Sequence, residues 1–122
     1  MGEKHTEATK VVMIGATGAV GGQTVKTLLQ NNALDQLTLL GRRPVQNLSE
    51  AKVRQYTVDL FDPTTYKSYV AGHHTAICTL GVGQPSKMGK EEFIKIDKLA
   101  VLDFAKVCKK AGIRHFQLLA SV

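Results

Sequence analysis

The chain is poor in tryptophan, cysteine and long apolar segments. None of its 122 residues is tryptophan and only two are cysteine. No apolar run approaches the ~20 residues that a membrane-spanning helix needs, so we expect no membrane segment. The polar N-terminal residues 1–9 lack the apolar core of a secretory signal and are expected to form a disordered tail.

The cysteines and histidines show no metal-binding spacing, so no metal site is expected. Cys78 and Cys108 lie far apart, each within an apolar stretch, and neither belongs to a Cys-x-x-Cys motif. We expect two buried thiols in a reducing compartment, the cytoplasm, with the nucleus left open. The adjacent His73 and His74 are expected on a surface loop.

The positive charge is spread along the chain. The formal net charge is +6, and the only dense basic groups are Arg42-Arg43 and Lys109-Lys110. Nucleic-acid-binding domains concentrate basic residues on one face and interleave aromatic residues for stacking. The pattern therefore argues against a nucleic-acid partner and favours an anionic small ligand.

Short apolar runs alternate with helical periodicity. The spacing predicts strands at 10–14, 36–41, 52–60, 74–81 and 113–122, and helices at 19–31, 62–71 and 90–111. Asp62-Pro63 is typical of a helix start. This alternation predicts an α/β fold: a doubly wound parallel sheet with five strands in the order 3-2-1-4-5, in one domain over residues 10–122.

A glycine-rich turn joins the first predicted strand to the first predicted helix. Gly15, Gly18 and Gly21 recur at a spacing of three. In doubly wound folds this turn binds the diphosphate of a dinucleotide, because the helix N-terminus offers unpaired N–H groups and a partial positive charge. Gly15 would allow the tight turn, Gly18 the approach of the phosphates and Gly21 the packing of helix on strand. The alternative is a tight turn without a ligand.

Two arginines follow the second predicted strand. An NAD-binding domain would place Asp or Glu there for the ribose hydroxyls, whereas this chain has Arg42 and Arg43. Two guanidiniums suit the 2′-phosphate of NADP, because charge-assisted hydrogen bonds to phosphate are strong. The alternative is a solvated basic loop.

The ends of the other strands supply further candidates. Asp59 and Leu60 follow the third strand, where the aspartate could bind the adenine amino group, be a solvated loop residue, or act as a capping partner of Asp62. Leu80, Gly81 and Val82 end the fourth strand, where small residues would pass under the cofactor. Ser121 ends the fifth strand, beside the expected nicotinamide.

Together, the segments GATGAVG, LTLLGRRP, VDL, CTLGVG and FIKIDKLAVLDFAKVCKKAGIRHFQLLAS resemble the atypical short-chain dehydrogenase/reductase superfamily. The resemblance is strongest to its NmrA-like group and the Tat-interacting, tumour-suppressor-type oxidoreductases. It implies a Rossmann fold that binds NADP(H). The cofactor residues it implies are Gly15, Thr17, Gly18, Ala19, Val20, Arg42, Arg43, Asp59, Leu60, Leu80, Gly81 and Val82. It also implies that Ser121 is the serine that stabilises the substrate carbonyl or hydroxyl in active members.

The catalytic pair of that superfamily is missing from these 122 residues. Active members carry Tyr-x-x-x-Lys downstream of the serine, whereas Tyr56, Tyr66 and Tyr69 precede the fourth strand and none has Lys four residues later. We expect the NADP(H)-binding domain of an oxidoreductase, truncated after strand 5. The alternative is a non-catalytic redox sensor or protein-interaction module.

The fifth strand would have a neighbour on one side only. Its sequence, FQLLASV, is apolar, and an exposed apolar edge strand pairs readily with another chain. The expected partners are therefore a nicotinamide dinucleotide and a second copy or another protein at this edge.

Overall fold

The computed structural model describes residues 9–16, 19–46, 48, 50–79 and 90–118, with the backbone alone at 19–20 and 90–98. Among them, β1 (Thr9–Ile14), β2 (Leu34–Gly41), β3 (Val53–Thr57), β4 (Thr75–Cys78) and β5 (His115–Leu118) form a sheet in the order β3-β2-β1-β4-β5. The helices are α1 (Ala19–Leu29), α2 (Lys67–Val70) and α3 (Lys90–Lys110), with a 3-10 turn at Pro63–Thr65. All strand pairs are parallel, so the predicted Rossmann topology is confirmed.

The central strand β1 is buried on both faces of the sheet. Val12 lies in one hydrophobic cluster with Phe104 of α3, whereas Met13 lies in a second cluster with Val25 of α1. Successive strand residues point to opposite faces, so a strand covered by helices on both sides reads as a continuous apolar run. This is why the continuous apolar run in KVVMI predicts a fully buried strand.

The register brings the carboxyl ends of the strands together. Ile14 of β1 lies between Leu40 of β2 and Cys78 of β4, and Gly41 lies beside Thr57 of β3. The loops that follow these four strands therefore leave from the same end of the sheet. In open α/β sheets, ligands bind at this end.

The predicted helix over 62–71 is not continuous. Asp62 caps its start as expected, since Oδ1 accepts the N–H of Thr64 at 3.1 Å. Tyr66, however, has φ −130° and ψ −9°, which separates the 3-10 turn from the four-residue helix α2. The Tyr66 side chain is fully buried, with its ring 6.0 Å from that of Phe104. Tertiary burial has overridden the local helical pattern.

The third strand is shorter than its sequence pattern. Val58 still donates to the carbonyl of Gly41 at 2.8 Å, but the next N–H, that of Asp59, donates to the Thr65 hydroxyl at 3.0 Å. The chain thus turns away from β2 after Thr57, and the prediction of a strand to residue 60 is wrong by three residues.

His73 is buried, so its expected place on a surface loop is wrong. Its Nδ1 lies 3.0 Å from the carbonyl oxygen of Val70, and its Nε2 lies 2.8 Å from the Thr38 hydroxyl. A carbonyl can only accept, so Nδ1 carries the proton and Nε2 accepts from Thr38. Burial lowers the pKa of His73, which favours this neutral form. His74 is exposed, as expected.

The two cysteines are buried thiols, as the sequence indicates. Burial raises the pKa of the Cys108 thiol to about 12, so this residue remains a protonated apolar side chain near neutral pH.

Candidate functional site

Two glycines shape the turn between β1 and α1. Gly15 has φ +90°, in the region that side chains disfavour. A β-carbon at Gly21 would overlap the carbonyl oxygen of Gly15 and stand 2.8 Å from the Cα of Ala16. The helix therefore packs directly onto the end of β1, in the way expected of Gly21.

The N-terminus of α1 opens from this turn. The first helical residues are Ala19 and Val20, and the first turn contains no acidic residue. The leading N–H groups of a helix have no partner within the helix and carry a partial positive charge. No carboxylate of α1 neutralises that charge, so this end of the helix can attract an anion.

Thr79, directly after β4, holds the turn in place. Its hydroxyl donates to the carbonyl oxygen of Gly15 at 2.8 Å, and its backbone N–H donates to that of Ile14 at 3.1 Å. Because a trans peptide directs its N–H opposite to its C=O, the N–H of Ala16 points away from Thr79. The hydroxyl thus fixes the orientation of the first peptide of the turn.

An open cleft lies at the carboxyl ends of β1, β2 and β3. Its lining includes Gly15 and Ala16 from the turn, Arg42 and Arg43 after β2, and Leu60 after β3. The structure thus brings together three groups of candidate residues that lie far apart in the sequence.

The two arginines are exposed at this cleft. Within the described part of the chain, neither guanidinium has a hydrogen-bond or ion-pair partner. Each guanidinium carries five N–H donors and a permanent positive charge. Arg42 and Arg43 are therefore available to a phosphate of a bound ligand.

Asp59 is exposed and does not line the cleft. Its Oδ1 accepts the backbone N–H of Phe61 at 2.9 Å, and its backbone bonds to Thr65, so it stabilises the loop after β3. Among the alternatives that the sequence left open, this arrangement favours the solvated loop residue.

A nicotinamide dinucleotide has a diphosphate, the group that the glycine turn and the start of α1 would bind. Residues 15–122 match the family of NAD(P)H-binding domains. The chain belongs to this family. The expected NAD(P)-binding Rossmann domain is confirmed, and the cofactor class is a nicotinamide dinucleotide.

Relatives of this NAD(P)H-binding domain include animal and fungal proteins. Protein HTATIP2 of Rattus norvegicus is 34% identical over 113 residues, covering 91% of this chain and 46% of its own. The mitochondrial protein FMP52 of Debaryomyces hansenii is 30% identical over 110 residues, covering 90% and 49%. The chain thus spans about half the length of these relatives.

A solved structure shares the fold. A uronate dehydrogenase variant from Agrobacterium tumefaciens, in complex with NAD, matches with a TM-score of 0.73 at 16% identity. The match covers 93% of this chain and 41% of that one. This likeness supports the Rossmann architecture of the domain.

Several expected site residues lie outside the described part of the NAD(P)H-binding domain. They are Thr17, Gly18, Leu80, Gly81, Val82 and Ser121. Among the described residues, no group of His, Cys, Asp and Glu could hold a metal ion, and no helix is long and apolar enough to cross a membrane.

Sequence reasoning missed three residues of the site. Gln55 and Tyr56 line the cleft from β3, and Tyr56 stacks on Tyr69 of α2 with ring centroids 4.1 Å apart. Thr79 fixes the glycine turn. Two polar positions could have indicated these roles. Thr79 directly follows the apolar run of β4, and Gln55 is a polar residue on the more buried side of β3.

Proposed function

We propose that the chain is the NADP(H)-binding domain of an oxidoreductase of the short-chain dehydrogenase/reductase type. In the whole enzyme, the bound cofactor would exchange a hydride with a carbonyl or an alcohol. The observation that carries the preference for NADP(H) is the pair Arg42 and Arg43, exposed and unpaired in the described structure at the cleft beside the glycine turn.

The described residues fit such a cofactor. The turn at Gly15, the start of α1 at Ala19 and Val20, and the close packing of Gly21 suit the diphosphate, because backbone N–H groups and helix charge act together there. The arginines suit the 2′-phosphate.

The remaining assignments rest on the expected positions. Leu60, which lines the cleft, would face the adenine. Leu80, Gly81 and Val82 would pass beneath the cofactor, with Thr17 and Gly18 in the diphosphate turn. Ser121 would hydrogen-bond the substrate carbonyl or hydroxyl.

The test compares NADPH and NADH binding by titration calorimetry. We expect the wild-type chain to prefer NADPH, and the double variant Arg42→Ala/Arg43→Ala to lose about tenfold to a hundredfold in NADPH affinity while NADH binding stays unchanged. The matched control is Lys109→Ala/Lys110→Ala, which removes the same charge from the far end of α3. Equal wild-type affinity for both nucleotides would overturn the preference for NADP(H), and absence of binding would overturn the cofactor proposal.

We further propose that β5 pairs with a second copy of the chain. All four of its residues are exposed, including Phe116 at 38% and Leu118 at 53%, and Leu99 and Leu102 of α3 are exposed as well. Light scattering should give a dimer mass, and Leu118→Lys should give a monomer. A wild-type monomer at high concentration contradicts the proposal.

The proposed compartment is the cytoplasm. A reducing environment suits two buried thiols. Cell fractionation of the tagged natural protein tests this, and recovery with mitochondria, as the name of the fungal relative suggests for that protein, would overturn it.

A further inference from the structure

The segment that carries the two arginines is tied to β3 at both of its ends. Before it, the carbonyl oxygen of Gly41 accepts the N–H of Val58 at 2.8 Å, which closes the β2–β3 ladder. After it, the N–H of Val45 donates to Oε1 of Gln55 at 2.7 Å, and Nε2 of Gln55 lies 3.5 Å from the carbonyl oxygen of Val45. The side-chain amide of Gln55 thus pairs with the backbone N–H and C=O of Val45 as the backbone of a neighbouring strand would.

Only three residues separate the two ties: Arg42, Arg43 and Pro44. Proline fixes its own φ and disfavours helical geometry in the residue before it. A three-residue segment with both ends held and one rigid member has few conformations available. In the described structure no other hydrogen bond holds this segment, so the tie at Val45 depends on one side chain.

Gln55 is placed to affect binding through this tie. It is partly buried, and it lines the same cleft as the arginines. Val45 packs against the hydrophobic cluster on the α1 side of the sheet, so the tie sets where the arginine segment crosses the end of β2.

We propose that Gln55 is a specificity-determining positioning residue: through its paired bonds to Val45 it holds Arg42 and Arg43 where they favour a ligand with a ribose 2′-phosphate. This inference rests on the proposed NADP(H) binding. Loss of the tie lets the segment adopt other conformations, and affinity falls in proportion to the fraction that remains competent. Contacts with the rest of the nucleotide are unaffected.

The experiment uses two fragments that differ only in that phosphate, adenosine 2′,5′-bisphosphate and adenosine 5′-monophosphate, titrated against the full chain. Gln55→Met keeps the length of the side chain but cannot hydrogen-bond. We expect it to lower the preference for the bisphosphate over the monophosphate about threefold to tenfold. Amide hydrogen exchange at Val45 should quicken in the same variant.

The matched control is Gln36→Met, on the neighbouring strand β2. Gln36 is also partly buried and makes one side-chain hydrogen bond, to Thr38 at 3.0 Å, but it lies at the opposite end of the sheet. This variant should leave the preference unchanged. Gln55→Thr, which suits a strand but is too short to reach Val45, provides a second test if Gln55→Met folds poorly.

The outcomes separate the inference from the function on which it rests. An unchanged preference in Gln55→Met, or an equal loss for both fragments, overturns the role of Gln55 and leaves the NADP(H) proposal intact. A wild-type chain that does not distinguish the two fragments overturns both.

Discussion

The two ends of the parallel sheet are built differently. At the amino end, two backbone N–H groups are bound by side chains: the N–H of Lys10 donates to Nδ1 of His74, and that of Ala33 donates to Oδ1 of Asn31. At the carboxyl end lie a glycine with positive φ and two arginines that have no partner in the described structure. The two arginines line the cleft, so their hydrogen-bonding capacity is left for a ligand.

This difference makes the carboxyl end of the sheet the end that can bind a ligand. Backbone strain is costly and persists where the surrounding structure holds it in place. Here Thr79 and Gln55 hold the carboxyl end from within the protein, and neither contributes charge to the cleft. Substitutions at the carboxyl end should therefore change both stability and nucleotide binding, whereas those at the amino end should change stability alone.

The largest effect is expected where helix and strand meet at the carboxyl end. Gly21→Ala places a methyl group on the Gly15 carbonyl oxygen, and both groups belong to rigid backbone. We expect the free energy of unfolding to fall by about 3 kcal/mol or more, measured by urea denaturation, together with loss of nucleotide binding.

Gly22→Ala is the matched control, one residue further along α1. A β-carbon there meets no atom within 4 Å. Because alanine is the better helix former, this variant should gain about 0.5–1 kcal/mol in stability. Destabilisation of both variants to the same extent would contradict the packing argument.

Removal of the Thr79 hydroxyl should have the next largest effect. Thr79→Val preserves shape but leaves the partly buried Gly15 carbonyl without its 2.8 Å partner, which we expect to cost about 1 kcal/mol of stability and to weaken NADPH binding. Thr75→Val, at the other end of β4, removes a hydroxyl with no hydrogen bond in the described structure and should change stability by less than about 0.5 kcal/mol. Equal costs would contradict the role of Thr79.

The sequence was sufficient for the order of the strands and for part of the site. The glycines and arginines of the site can be recognised because they directly follow predicted strands in the sequence. The apolar composition of KVVMI likewise predicts a buried strand. Thr79 and Gln55 could not be assigned roles, since their partners lie 64 and 10 residues away and are chosen by the packing of the sheet. The surface position expected for His73 was wrong for the same reason, and so was the continuous helix predicted through Tyr66: burial depends on neighbours that are distant in sequence.

The buried His73 at the amino end of the sheet should make the stability of the domain depend on pH. Burial lowers the pKa of His73 in the folded state, so the unfolded chain binds this proton more readily. The contribution of the neutral ring is complete above the unfolded pKa of about 6.5 and declines as pH falls toward the folded pKa. One proton limits the slope to about 1.4 kcal/mol per pH unit.

Urea denaturation of wild type and His73→Gln at several pH values measures this. Glutamine can replace both hydrogen bonds but does not titrate, so the variant should lack the decline below pH 6.5. His115→Gln, exposed on β5, should behave as wild type. A parallel decline in the His73→Gln variant would place the titrating group elsewhere.

The smallest expected effect lies in the core between the two ends. The hydroxyl of Tyr66 is buried and has no hydrogen-bond partner in the described structure, and burial raises the pKa of this phenol above its ordinary value, so it stays neutral. Tyr66→Phe removes the unsatisfied group and keeps the ring beside Phe104. Because an unpaired buried hydroxyl is costly, we expect a gain of about 0.5–1 kcal/mol, visible as a higher Tm.

Tyr69→Phe, on the exposed ring that stacks on Tyr56, should be neutral. Destabilisation by Tyr66→Phe alone would mean that the hydroxyl is bonded after all, and that the core, like the carboxyl end, contains a polar contact that stabilises the fold.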